Sequence, residues 1–166
     1  GTPLDDNGDI VKKSFQNHVD HMIEAGASGL LVLGSMGQQA YVKNCQCTEI
    51  IKLASDVNHG RLPLFAGSMD NSIARAKSRI SAIEDVKLDG VVMTTPYYNV
   101  FGPADVMNYF KNVAASTKHN LYLYDLAGVT KIKITYDMAV QMSKEIPNLK
   151  GMKSGDIEMM RNLTMY

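Results

Sequence analysis

A surplus of charge of either sign is missing from these 166 residues: 17 Lys and Arg face 17 Asp and Glu, so the formal net charge is zero. Nucleic acid and anionic membranes attract proteins through excess Lys and Arg that displace counterions, so neither partner is expected. Long apolar runs are missing too. The longest, such as Leu30 to Leu33, fall far short of the roughly 20 residues needed to cross a bilayer. The opening Gly1-Thr2-Pro3-Leu4-Asp5-Asp6-Asn7-Gly8 has neither the basic start nor the apolar stretch of a signal peptide. Cysteine is scarce: Cys45 and Cys47 are one residue apart, too close for an ordinary disulfide and too few for structural zinc. Reduced thiols in a cytoplasmic protein are expected. His18 and His21, with Asp20 between them, share a helix face, but no catalytic Glu or third ligand stands at a recognised spacing, so no metal is expected.

What is present is a repeated alternation of short apolar runs with longer amphipathic ones. The apolar runs begin at Gly29, Leu62, Gly90, Leu121 and Leu149, in steps of 33, 28, 31 and 28 residues, the length of one strand-helix unit with its loops. Strands without polar alternation indicate a parallel sheet covered on both faces. Between them, a helix is predicted over about Val11 to Ala25, with Phe15, Val19, Met22 and Ile23 on one face and Gly26 as its stop. Others are predicted over about Thr48 to Val57, from a cap at Asn71 or Ser72 through Ile83, over about Ala104 to Ser116, and from near Tyr136. No Pro/Gly/Ser-rich linker or low-complexity tract divides these units, so residues 1–166 read as a single α/β domain. Two architectures are built this way, an open doubly wound sheet and a (β/α)8 barrel. Length favours the open sheet, because a full barrel usually needs about 250 residues.

In either architecture functional groups gather at the carboxyl ends of the strands. The first apolar run is followed by Gly34-Ser35-Met36-Gly37-Gln38, the third by Thr95-Pro96-Tyr97-Tyr98-Asn99, the fourth ends in Tyr124-Asp125 and the fifth in Lys153. A lysine at the end of a strand suits covalent chemistry on a carbonyl, because an amine can form a Schiff base that acts as an electron sink. A lysine must first lose its proton, and near a reference pKa of 10.4 only about 4 in 10,000 is neutral at pH 7, so such chemistry needs burial or positive neighbours. Gly151-Met152 before Lys153 and Ser154-Gly155 after it are compatible with burial. Tyr124 offers a hydroxyl that can pass a proton between substrate oxygens, with Tyr98 and Ser35 as relay partners. The Gly34-Ser35-Met36-Gly37 turn can cradle a carboxylate through successive backbone N–H groups.

These motifs, in order and at compatible spacing, resemble the dihydrodipicolinate synthase / N-acetylneuraminate lyase family of class I, Schiff-base pyruvate aldolases. Thr2-Pro3 with Asp6-Asn7-Gly8-Asp9-Ile10 is similar to that family's opening segment, and Gly34-Ser35-Met36-Gly37-Gln38 to its Gly-Ser/Thr-Thr-Gly-Glu loop. Gly60-Arg61-Leu62-Pro63 with Ala66-Gly67 is similar to its third-strand region and Thr95-Pro96-Tyr97-Tyr98-Asn99 to its Thr-Pro-Tyr-Tyr-Asn signature. Tyr124-Asp125 and Gly151-Met152-Lys153 stand where the family has its strand-five tyrosine and its Schiff-base lysine. The resemblance implies a TIM (β/α)8 barrel in which Lys153 and Tyr124 are catalytic. It implies that Ser35 and the backbone N–H of Met36 hold the pyruvate carboxylate, and that Tyr98 completes the hydroxyl relay, often across a dimer interface. No metal or organic cofactor is implied; the partners implied are a small 2-keto acid and further copies of the chain, as a dimer or tetramer.

The sequence departs from the family at informative places. Val129 stands where dihydrodipicolinate synthases carry an arginine for the second substrate's carboxylate; Met36 replaces a hydroxyl residue and Gln38 an acid; Asp125-Leu126-Ala127-Gly128 lacks a proline. These losses favour pyruvate-forming cleavage of a 2-keto-3-deoxy (sugar) acid. Dihydrodipicolinate synthesis from pyruvate and aspartate semialdehyde, or non-catalytic keto-acid binding, are the alternatives. A doubly wound nucleotide binder is disfavoured, because no G-x-G-x-x-G or P-loop follows a strand. Only about five to six β/α units of the eight are expected, so the sequence reads as a partial barrel and as part of a longer chain.

Overall fold

The computed structural model describes residues 1–165. Five strands alternate with helices: α1 (Lys12–Glu24), β1 (Leu30–Val32), α2 (Asn44–Asn58), β2 (Leu64–Gly67), α3 (Ile73–Ser81), β3 (Gly90–Thr94), α4 (Pro103–Ala114), β4 (Leu121–Asp125), α5 (Ala127–Thr130), α6 (Tyr136–Glu145), β5 (Leu149–Ser154) and α7 (Ile157–Thr164). All strand pairs are parallel and the sheet order is β1-β2-β3-β4-β5. A doubly wound sheet reverses its order at a switch point. This sheet never reverses, so right-handed crossovers carry every connecting helix over the same face, as in a β/α barrel.

One face is therefore the helix-covered core. Leu30, Leu64, Val91, Met93, Leu121 and Leu123 are buried there, packed with Ile50, Ile80, Phe110 and Met142 of the helices. The opposite face, expected to be covered as well, carries half-buried Leu31, Phe65 and Tyr122. Phe65 and Tyr122 meet edge to face, with ring centroids 5.0 Å apart. They reach each other across β3 because residue 90 is glycine, where a Cβ would lie 2.4 Å from the Tyr122 ring.

Local chemistry sets the helix ends. Ser72, rather than Asn71, caps α3 by accepting from the Arg75 amide at 3.2 Å. Thr135 and Asp156 cap α6 and α7 in the same way. Pro103 opens α4 at a position where its missing N–H costs nothing. On α1, Phe15 and Val19 are buried and Ile23 half-buried, whereas Met22 is exposed. Both histidines of that helix, His18 and His21, face solvent, and among the described residues no three metal-binding side chains converge. Cys45 is exposed and Cys47 buried, both as free thiols. Among the described residues no helix is long and apolar enough to cross a membrane.

Candidate active site

The carboxyl ends of β1, β3, β4 and β5 bring the sequence motifs together. Across the ladder Tyr124 lies between Thr94 of β3 and Lys153 of β5. The Lys153 Nζ sits over the Tyr124 ring, 3.6 Å from its centroid. From the loop after β1, Ser35 Oγ approaches the Tyr124 hydroxyl at 3.5 Å, the outer limit of a hydrogen bond. Burial pushes the Tyr124 phenol up, but Lys153 beside it and the Ser35 hydroxyl outweigh this and hold it below its ordinary value of 10.0. Tyr124 therefore loses its proton more readily than an ordinary phenol, a property that suits proton transfer.

The Ser35 loop is held in a form few side chains tolerate. Leu33 and Gln38 both adopt left-handed backbone, with φ of 52° and 61°. A Cβ on Gly37 would lie 2.7 Å from the Leu33 nitrogen, and one on Gly67 of β2 would lie 1.9 Å from the Leu33 carbonyl oxygen. Both positions require glycine, and the loop is pressed against the end of β2. Among the described residues no acceptor takes the amides of Ser35, Met36 or Gly37. Three successive N–H groups without a protein acceptor are available to an anion such as a carboxylate.

The other expected residues are placed differently. Lys153, opposite Tyr124 on the sheet face that carries no helices, is exposed, so the burial compatible with its neighbours in sequence is not found among the described residues. Met36 is 84% exposed, and what it offers the loop is an amide without a protein acceptor. Tyr98 is 85% exposed and its hydroxyl makes no hydrogen bond to Tyr124, so of the three hydroxyls expected together only those of Ser35 and Tyr124 meet within one chain. It is the neighbouring Tyr97 that lines the cleft beside Ser35.

Three positioning groups escaped the sequence reading. Asn71 accepts from the amides of both Tyr97 (2.8 Å) and Tyr98 (3.1 Å), fastening the tyrosine pair to the end of β2. Asp70, buried beside it, is gripped by Arg75 (2.6 Å) and Arg79 (2.8 Å). Asp125, buried directly after Tyr124, accepts from Lys133 (2.5 Å), the Ser154 hydroxyl (3.0 Å) and the Ile134 amide (3.1 Å). It thus ties β4 to β5 next to the Tyr124–Lys153 pair. In sequence Asp125 showed only as the residue following Tyr124, and its cation is eight positions away.

The sequence pattern that defines the Dihydrodipicolinate synthetase family matches residues 1–166, the whole chain. The chain belongs to that family. It is 30% identical over 167 residues to a 4-hydroxy-tetrahydrodipicolinate synthase of Salinibacter ruber, covering 99% of this chain and 55% of that protein. It spans about half the length of the curated relatives it matches. The chloride-inhibited dihydrodipicolinate synthase of Acinetobacter baumannii, solved in complex with pyruvate, superposes with a TM-score of 0.92 at 30% identity, over 99% of this chain and 57% of that one. The 4-hydroxy-tetrahydrodipicolinate synthase of Methylacidiphilum fumariolicum SolV superposes with a TM-score of 0.93 at 25% identity, over 99% and 55%. The fold of this family member is accordingly a partial β/α barrel, with the site residues at the carboxyl ends of its strands.

Proposed function

We propose that this chain carries the catalytic core of a class I, pyruvate-dependent aldolase, a carbon–carbon lyase in which Lys153 is the Schiff-base lysine and Tyr124 the proton-transfer group. The observation that carries this reading is the placement of the Lys153 amine 3.6 Å over the Tyr124 ring, with Ser35 at 3.5 Å from the Tyr124 hydroxyl. The Lys153 nitrogen attacks the ketone carbon of pyruvate and water leaves, forming an imine. Loss of a proton from the methyl carbon gives an enamine, whose carbon adds to an aldehyde while the aldehyde oxygen takes up a proton. One water then hydrolyses the imine, returning the lysine amine and releasing a 4-hydroxy-2-keto acid. The same steps in reverse cleave such an acid to pyruvate and an aldehyde. Tyr124, paired with Ser35, moves the protons, and the free amides of Ser35, Met36 and Gly37 receive the pyruvate carboxylate.

The substrate we favour is a 2-keto-3-deoxy (sugar) acid, because Val129 offers no charge to a second carboxylate. Dihydrodipicolinate synthesis is the second reading, favoured by the names of the relatives. We place residues 1–166 in one partial barrel domain that works as a dimer or tetramer; the exposed Tyr98 is available to reach a neighbouring copy's site. Intact mass after incubation with pyruvate and sodium borohydride tests the core of the proposal. A reduced pyruvyl adduct on the parent protein and none on Lys153→Ala is the expected result. An unmodified parent, folded and full length, would refute it and leave keto-acid binding without catalysis.

A further inference from the structure

The strand register sets Thr94 of β3, Tyr124 of β4 and Lys153 of β5 side by side. Residues paired across a parallel ladder share a face, so Thr94 stands in one row with the phenol and the amine, on the face without helices. Met93 before it turns the other way and is buried in the helix-covered core. Beside this row the carboxyl ends of the strands enclose a cleft of about 270 Å³, with Ser35, Tyr97 and Thr94 in its wall. The buried polar side chains of that wall are Gln39, Thr94 and Thr130. Gln39 donates to the Met69 carbonyl at 3.0 Å, and the Thr130 hydroxyl accepts from Thr95 at 2.9 Å. Thr94 is 3% exposed, yet among the described residues its hydroxyl has no hydrogen-bond partner. Among those residues only the Ser68 hydroxyl is both unpartnered and sealed from all open space, so the Thr94 oxygen opens to the cleft.

We infer that Thr94 is a specificity-determining residue, its hydroxyl bonding a hydroxyl on the carbon chain of the aldehyde partner. The inference rests on the pyruvate-aldolase reading of Lys153 and deepens it by naming the group that recognises the sugar-like tail. A buried hydroxyl without a partner is unfavourable for the fold, and native structures leave few of them. One that opens into a cleft beside the reacting groups gains its partner when a ligand enters. Neighbouring strands lie about 4.8 Å apart, so about 10 Å separates the backbones of Lys153 and Thr94. The lysine side chain and a short carbon chain bridge that gap together, with the reacting carbon at the Ser35–Tyr124 pair and the tail at Thr94. A threonine hydroxyl both donates and accepts, which matches an alcohol whichever way its proton points. None of the residues lining the cleft is Asp, Glu, Lys, Arg or His, so the tail it matches is neutral.

The test is condensation of pyruvate with glyceraldehyde or with butanal, which lacks the hydroxyls, by the full-length protein and its Thr94→Val and Thr94→Ser variants. The readout is the ratio of kcat/KM for glyceraldehyde to that for butanal, with borohydride trapping of the pyruvate adduct and urea unfolding alongside. Valine keeps the branched shape and removes only the hydroxyl. The expected result is a ratio about tenfold lower in Thr94→Val and kept within about twofold in Thr94→Ser, as loss of one hydrogen bond to substrate predicts. Because the hydroxyl has no protein partner, Thr94→Val is expected to unfold at the same urea concentration as the parent or a higher one. A trapped adduct with an unchanged ratio in Thr94→Val overturns the inference and leaves the imine chemistry standing. A lowered unfolding midpoint in that variant overturns it too, since the hydroxyl would then serve the fold. Absence of any adduct on the parent overturns the aldolase reading and this inference with it.

Discussion

Removing the Asp125 carboxylate separates what holds the strand ends from what reacts there. Its three donors are unequal. The Ile134 amide is buried and has no other acceptor, so leaving it unpaired costs about 1–3 kcal/mol. The Ser154 hydroxyl also contacts the Asp156 amide and is only half-buried, so its loss is about 0.5–1 kcal/mol. The Lys133 side chain is 41% exposed and keeps Asp156 at 3.0 Å, so its part is about 0–1 kcal/mol after solvent screening. Asp125→Ala is therefore expected to lose about 2–4 kcal/mol, and Asp125→Asn, which keeps an oxygen for Ile134, about 1–2 kcal/mol. Urea unfolding measures both as a lowered midpoint at unchanged slope. Because Asp125 fixes Ser154 beside Lys153, the yield of trapped imine is expected to fall in the same order. A loss below about 0.5 kcal/mol in Asp125→Ala would show that the carboxylate does not tie β4 to β5 and would refute the reasoning.

At Gly67, alanine would place its Cβ 1.9 Å from the Leu33 oxygen, so Gly67→Ala is expected to cost about 3 kcal/mol or more in thermal or urea unfolding. Gly128→Ala, with nothing within 4 Å and a helical position, is its control and should be neutral or stabilising by up to about 1 kcal/mol; equal losses at the two sites would contradict the close approach. The Tyr124 phenol is expected to titrate below 10.0 and to move upward in Lys153→Ala, since burial then acts against fewer favourable partners. NMR of isotope-labelled tyrosine, assigned with Tyr124→Phe, reads this directly, and an unmoved titration would deny the contact. For Asp70, burial pushes the carboxyl up, but Arg75, Arg79 and the Asn71 amide outweigh it and bring it below its ordinary 3.8. The folded state thus binds this proton more weakly than the unfolded one. The resulting stability is full above about pH 3.8 and is lost as pH falls toward the lowered value. Asp70→Asn should flatten the pH dependence of stability in that window, and parallel curves for parent and variant would exclude the linkage.

The strands were legible because each is a short run of apolar residues that a parallel sheet buries on its helix side, and all five begin within two residues of the positions read from sequence. Helix ends were legible where a side chain marks them, as at Ser72 and Thr135. They were not where none does: α2 begins at Asn44, four residues before the expected Thr48, after Lys43, which makes no side-chain cap. The single turn of α5, Ala127–Thr130, is too short to show a period, yet it carries Val129 to the cleft. Composition around Lys153 could not reveal its exposure, because the face to which a strand residue turns depends on register and not on its immediate neighbours. The grips on Asp70 and Asp125 were equally hidden: each joins a strand end to charges several residues away that only the fold brings near.

The register of β5 shows how closely the chemistry depends on backbone irregularity. Leu149 pairs with Leu121, but the next pair is Gly151 with Tyr122, so Lys150 is an extra residue on the edge strand. Successive side chains on a strand point to opposite faces, and one inserted residue exchanges the faces of everything beyond it. A ladder continued evenly from Leu149 would set Met152 opposite Tyr124 and turn Lys153 to the helix-covered face beside Asp125. With the bulge, Gly151 lies under the Tyr122 ring, Met152 packs against the core, and Lys153 comes over Tyr124. Glycine at 151 is part of the same arrangement, since a Cβ there would lie 3.0 Å from the Tyr122 ring. The meeting of amine and phenol is thus set upstream of both, by one unpaired residue and by the small one that follows it.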